Sequence, residues 1–193
     1  MLGREKSQLQ ALGRRHATVP AAPGRPGLVE FEYRRGGTLA YLAAWDVHHA
    51  NLFDRVEPKT GIVPFGRLID EVMSTEPYAS ARRVFWIVDN GSSHCGQTSV
   101  ARIAETHPRA RLIHLPVHAS WLNQIELYFS IVQRKALKPN DFPTLQALTN
   151  RLLAFAARYR TIAHPFEWTF TRQDLNQVLT KIADREPHLR LAA

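Results

Sequence analysis

Apolar and polar positions change period several times along this chain, and each change marks an element. In "LVEFEY", Val29, Phe31 and Tyr33 alternate with Glu30 and Glu32, which predicts a strand with one face covered. After a turn at "RRGG", the unbroken run "TLAYLAAW" predicts a strand buried on both faces, and "NLFDRVE" predicts a third beyond the short turn "DVHHA". Together they are expected to form an antiparallel meander. Phe65, Leu68, Ile69, Val72 and Met73 then fall at i, i+3, i+4, i+7 and i+8, the stripe of an amphipathic helix that Pro77 ends. "RVFWIV", "QTSVARIAETH" and "RLIHL" follow as buried strand, helix and buried strand, a parallel unit halted by Pro116.

The last third is helical in period. One stripe runs through Leu122, Ile125, Phe129 and Val132, a second through Leu145, Leu148, Leu152, Phe155, Tyr159 and Ile162, and a third through Leu175, Val178, Leu179 and Ile182. Pro165, Phe166 and Trp168 lie between the last two and are expected to anchor the final helix by packing. The pattern predicts an α/β domain over residues 1–193: a mixed sheet, part meander and part parallel strand-helix-strand, flanked by helices, with residues 140–193 as its helical C-terminal extension. "ATVPAAPGRPG" near the start holds three prolines and two glycines and is expected to be loop.

Composition narrows the class. A chain of 193 residues with 45% hydrophobic content can bury one core. Lys and Arg outnumber Asp and Glu by 25 to 17, a formal charge of +8, which biases the surface toward polyanions such as nucleic acid. Cys95 is the single cysteine, so no disulfide can form within the chain, and no Cys/His spacing resembles a structural zinc site. No apolar run approaches the roughly 18 residues that span a membrane, and "MLGREKSQ" lacks the apolar segment of a secretory signal. A cytoplasmic protein without a membrane partner is expected.

The candidate chemistry sits where the parallel unit ends. Asp89 follows "FWIV" at the carboxyl end of a strand, the position at which α/β sheets gather ligands. The exit loop of the next strand, "PVHASWLNQ", leads into a helix that presents Glu126 in its first turns. Two carboxylates brought together need a cation or a shared proton, and an oxygen-seeking divalent ion such as magnesium or manganese would let them act on a phosphodiester. The plainer alternative makes Asp89-Asn-Gly-Ser-Ser a strand-terminal turn or helix cap, and Glu126 a partly solvated helix residue.

"WIVDNGSSH", "ARIAETHPRARLIHLPVHASWLNQIELYFSIVQRKAL" and "HPFEWTF" together resemble the catalytic domain of bacterial insertion-sequence transposases in the mariner-like DDE superfamily. The resemblance covers nearly the whole chain. It implies a ribonuclease H-like fold, a Mg²⁺ or Mn²⁺ pair, DNA as partner, a homodimer as a further partner state, and DNA cleavage and strand transfer in transposition. It places the protein in a bacterial cytoplasm, on the nucleoid when bound to DNA. Asp89 becomes the second acid and Glu126 the third, both catalytic and both metal ligands.

The family's first acid is an aspartate in a segment that here reads "REKSQLQAL", with Arg4 in its place. The apolar stretch before it is missing, so the chain is expected to be truncated, with its first strand largely absent. Arg4 would repel metals, or pair with Asp89 instead. Impaired cleavage is therefore expected, and the alternative is a catalytically inactive DNA-binding remnant that binds DNA weakly and without sequence preference. Asp46 and Glu5 are the candidate substitutes for the missing acid, although Asp46 also suits a turn and Glu5 should point to the opposite face of its strand. His94, Asn123, Arg134, Lys135 and Lys138 are candidate DNA contacts. His94 could instead cap the next helix and Asn123 its own. His114 and His118 are expected to pack in loops, and Trp121 to wedge its loop against the core.

Overall fold

A computed structural model of the chain describes residues 1–16, 18–28, 30–116, 123–165 and 171–185. Five strands form one mixed sheet: β1 (Leu2–Arg14), β2 (Tyr33–Trp45), β3 (Leu52–Glu57), β4 (Val84–Val88) and β5 (Ala110–His114). Their order is β3-β2-β1-β4-β5. β1, β2 and β3 pair antiparallel, whereas β4 runs parallel to both β1 and β5. The helices are α1 (Ile62–Met73), α2 (Gln97–Thr106), α3 (Ile125–Lys135), α4 (Leu145–Ile162) and α5 (Arg172–Arg185).

β2 explains the two-layered core. Tyr41, Ala43 and Trp45 point into one cluster with α3 and α4, while Ala40, Leu42 and Ala44 point into another with α1 and α2. A strand covered on both faces has no polar side to alternate with, hence the unbroken apolar run. Phe65, Leu68, Ile69 and Val72 of α1 are fully buried, each contributing about 1.5–3 kcal/mol. Thr144 caps α4 by accepting from the Ala147 N–H at 3.1 Å. No described helix is long and apolar enough to cross a membrane.

The meander is built from different segments than the periodicity predicts. "RRGG" is not a turn: it continues β2, with Leu12 opposite Arg35 and Gly13 opposite Arg34. Tyr33 is the first strand residue, so most of "LVEFEY" lies outside the sheet. The first strand, expected to be largely absent, runs for 13 residues at the centre of the sheet. Its sequence is polar because only Leu2, Leu9 and Ala11 enter the core, and register shifts after Lys6 and Gln10 break its alternation. Gln8 takes a left-handed φ of 56° at the first shift.

β4 and β5 are less buried than their apolar runs suggest. Phe85 and Ile113 are about half exposed, because α1 and α2 cover only the other face, where Trp86 and Val88 are buried. The β4–α2–β5 unit and the three C-terminal helices match the predicted elements. Leu122, Phe166 and Trp168, and the apolar side chains of α5, lie outside the described residues, whereas Pro165 is exposed rather than packed.

Candidate active site

The sheet order puts the two candidate acids at one end of β1. β4 stops at Val88, and Asp89 turns back to accept the Gly91 N–H at 3.0 Å. Asn90 ties this exit to that of β5, donating to the Leu115 carbonyl at 2.8 Å. α3 begins beside it. Asn123 donates from Nδ2 to the Gly3 carbonyl at 3.1 Å, pinning the start of α3 to β1, and its own carbonyl accepts the Glu126 N–H at 3.0 Å. Glu126 thereby faces the same side of β1 as Arg4.

Arg4 stands between the acids. Its Nη1 contacts Glu126 Oε1 and lies 3.4 Å from Asp89 Oδ2. The attraction is that of an ion pair and lacks hydrogen-bond alignment. The Asp89, Arg4 and Glu126 side chains are 18%, 27% and 37% exposed, so water screens the cluster only partly.

Behind Asp89, His94 is fully buried and its Nε2 lies 2.5 Å from Asp89 Oδ1. Its ring packs against Phe65 with centroids 4.9 Å apart, and its carbonyl is 2.8 Å from His114 Nε2. The His94 hydrogen bond, helped by the Gly91 N–H and the Arg4 charge, outweighs burial and holds the Asp89 carboxyl below its ordinary pKa. A Cβ on Gly91 would come within 3.0 Å of Asp89 Oδ1 and 3.1 Å of His94, so any side chain here would press on both groups. The turn in "DNGSSH" thus builds a preformed carboxylate.

Neither candidate substitute joins the pair. Glu5 lies on the opposite face, where its Oε1 accepts the Ser93 hydroxyl, and burial raises its pKa against that bond. Asp46 is a turn former: its Oδ1 accepts the His48 and His49 N–H groups, and its Oδ2 meets the Tyr78 hydroxyl at 2.5 Å and His49 Nδ1 at 2.8 Å. Burial opposes its charge, but those bonds lower its pKa to about 2. His94 and Asn123 are both fully buried, which removes them as direct DNA contacts. His94 orients Asp89, and Asn123 anchors α3. Arg134, Lys135 and Lys138 are exposed. His118 and Trp121 lie outside the described residues. Ser93 and Gly91 are the site residues that pattern reading missed, signalled only by the small-residue turn after Asp89.

The metal pair implied by the family resemblance does not fit the residues present. A guanidinium already occupies the gap between Asp89 and Glu126, and among the described residues no three His, Cys, Asp or Glu side chains cluster to hold a metal.

A mixed sheet in the order β3-β2-β1-β4-β5, with one acid after β4 and another in the first turn of α3, defines a ribonuclease H-like domain. Residues 6–149 match the family described as DDE superfamily endonuclease, and the chain belongs to that family. Arg4 lies just ahead of the matched segment. Several solved structures share the fold. The Mos1 mariner paired-end complex with Mn aligns with a TM-score of 0.58 at 16% identity, over 81% of this chain and 47% of that one. A pre-cleavage Mos1 transpososome gives 0.57 at 16%, over 81% and 47%. The Mos1 strand transfer complex gives 0.55 at 18%, over 81% and 46%. This chain spans about half the length of those proteins. None of the curated proteins matches it.

Proposed function

We propose that this chain is a transposase catalytic domain that acts on DNA in transposition, with Asp89 and Glu126 as the acid pair of a phosphodiester-cleaving centre whose gap Arg4 fills. The observation that carries this reading is the convergence of the two acids, one from β4 and one from α3, on a single cation. The His94 hydrogen bond keeps Asp89 ionised and aimed at that point. Family membership and the transposase–DNA complexes among the structures of similar fold support DNA as substrate. The formal charge of +8 supports binding through phosphates. Cleavage and strand transfer are impaired, because the place where a divalent ion would be gripped is filled by a guanidinium that can neither activate a water nor exchange with solvent ions.

A second reading, a catalytically inactive DNA-binding remnant, is favoured by the same arginine. Nicking of supercoiled DNA with Mn²⁺ separates the two. The wild type is expected to bind DNA without nicking it, and Arg4→Asp to nick in a way that Asp89→Ala abolishes. Failure of Arg4→Asp to nick while still binding would favour the remnant. Absence of DNA binding by the wild type would overturn both.

A further inference from the structure

The outward face of α4 is apolar where a surface helix is ordinarily polar. In its second half Leu153, Ala154, Ala157 and Ile162 are exposed, and the only charged residues among them are Arg151, Arg158 and Arg160. Leu153 is 44% exposed and Ile162 60%. The same helix already buries Leu148, Leu152 and Ala156 on its inner side, so these residues form a second apolar surface. α3 lies alongside and runs the opposite way. Arg151 donates to the Lys135 and Ala136 carbonyls at the end of α3, at 3.1 and 3.4 Å, whereas Tyr159 packs on Tyr128 near its start, with ring centroids 5.1 Å apart. Between the two helices lies a groove of about 540 Å³, with Ile131, Phe155 and Ile162 in its floor and Lys135, Arg151 and Arg158 around it.

The groove carries one sign of charge. No acid lines it among the described residues. From Leu127 to Ile162 the chain has a single acid, Asp141, which meets the Arg14 N–H at 3.3 Å away from this face. Six Lys and Arg lie in the same stretch, and among the described residues only Arg160 has an acid within ion-pair distance, Asp54. Lys135 and Arg158 thus stand beside the apolar floor with their charges unanswered. Arg151 and Arg158 are seven residues apart, two helical turns, so they present their charges about 10 Å apart along one side of the groove.

We propose that this groove seats an acidic amphipathic helix of a partner protein, with its apolar stripe on Ile131, Phe155 and Ile162 and its carboxylates on Arg151 and Arg158. The inference is independent of the acid pair and of DNA chemistry, and it adds a protein partner to the chain. The lining selects the occupant. Cations with no acids among them call for an anionic ligand, and the like charges turn away a basic one. An apolar floor gives a phosphate backbone nothing to bury, whereas it suits the i, i+4 and i+7 anchors of a helix laid in a groove. Acids at i and i+7 of such a helix repeat the spacing of the two arginines, since both helices rise by the same two turns.

Fluorescence anisotropy of the full chain with two labelled synthetic peptides tests this. Both are roughly 15 residues long, enough for an isolated helix to form, and share one composition of Leu, Ala and Glu. One sets Leu at i, i+4 and i+7 with Glu beside the stripe, and the other is its scramble. The patterned peptide is expected to bind with roughly micromolar affinity and the scramble at least about tenfold more weakly. Arg158→Glu and Ile162→Ser are each expected to weaken binding roughly tenfold. A peptide with Lys in place of the Glu that meets Arg158 should bind Arg158→Glu better than the original does. Arg83→Glu, the same charge change at an exposed site beside the start of β4, should bind as the wild type does. Equal melting temperatures confirm that every variant is folded. Absence of binding, equal affinity for the scramble, or equal loss in Arg83→Glu would overturn the proposal. Displacement of the peptide by a DNA oligonucleotide would overturn it in favour of a phosphate-binding surface. Tighter binding in Leu179→Glu would overturn it by making α5 the occupant of the groove.

Discussion

Replacing Arg4 with alanine removes the cation between Asp89 and Glu126 and leaves two carboxylates facing one gap. Both touch or approach a single nitrogen, so their oxygens lie within roughly 5–6 Å of each other once it is gone, a distance at which two unit charges repel by about 3 kcal/mol at an effective dielectric of 20 and under 1 kcal/mol in water. The variant also loses two attractions of similar size. The cluster is about a fifth to a third exposed, so these figures are discounted toward the range of surface pairs, to a net loss of roughly 1–3 kcal/mol. For a chain of 193 residues that lowers Tm by roughly 3–10 °C. Thermal unfolding at pH 7 followed by circular dichroism measures it. Millimolar Mn²⁺ should recover most of the loss in Arg4→Ala and change the wild type little, because a divalent ion can take the vacated place. The two proteins should converge only as the pH falls through the depressed folded pKa of Asp89, because its contact with Arg4 survives until that carboxylate is protonated. An Arg4→Ala protein that melts with the wild type at pH 7, and ignores Mn²⁺, would refute the idea that this arginine holds the acids together.

Three further outcomes follow from the same geometry. Gly91→Ala forces a methyl into Asp89 Oδ1 and the His94 ring and should cost about 1–3 kcal/mol in chemical denaturation. Asp46 has a folded pKa of about 2 against an ordinary 3.8, so its contribution of roughly 2 kcal/mol is fully present above about pH 4–5 and fades as pH falls through 2; Asp46→Asn should lose that amount at pH 7 and progressively less in acid. Tyr41→Phe removes a buried hydroxyl that donates to Asp54 Oδ2 at 3.1 Å and lies 2.6 Å from the Tyr128 hydroxyl, and should cost about 1–3 kcal/mol by leaving buried oxygens unpaired.

Local pattern carried the elements whose burial is uniform. The stripe of α1, the apolar run of β2 and the strand-helix-strand unit are each legible because one environment acts over their whole length. Asp89 and Glu126 were legible for the opposite reason, as polar residues placed where a core or a strand end makes them costly. β1 was not. Its strand character comes from β2, which pairs along nearly all of it, and two register shifts erase the alternation that would have advertised it. "RRGG" read as a turn for the same reason, since nothing local reveals that β1 extends far enough to pair with it. The roles of His94 and Asn123 needed coordinates: each is fully buried, and polar type alone had suggested a surface contact. Arg4 was visible as a departure from the family and as a partner for Asp89, but its contact with Glu126 depends on where α3 begins, which Asn123 fixes by gripping Gly3.

The most direct test is isothermal titration of Mn²⁺ into the wild-type chain and into Arg4→Asp. The wild type should bind no ion at the acid pair, whereas Arg4→Asp should bind Mn²⁺ in a way that either Asp89→Ala or Glu126→Ala abolishes. Stoichiometric Mn²⁺ binding by the wild type, lost on Asp89→Ala, would mean that the guanidinium yields its place to the metal and would contradict the account.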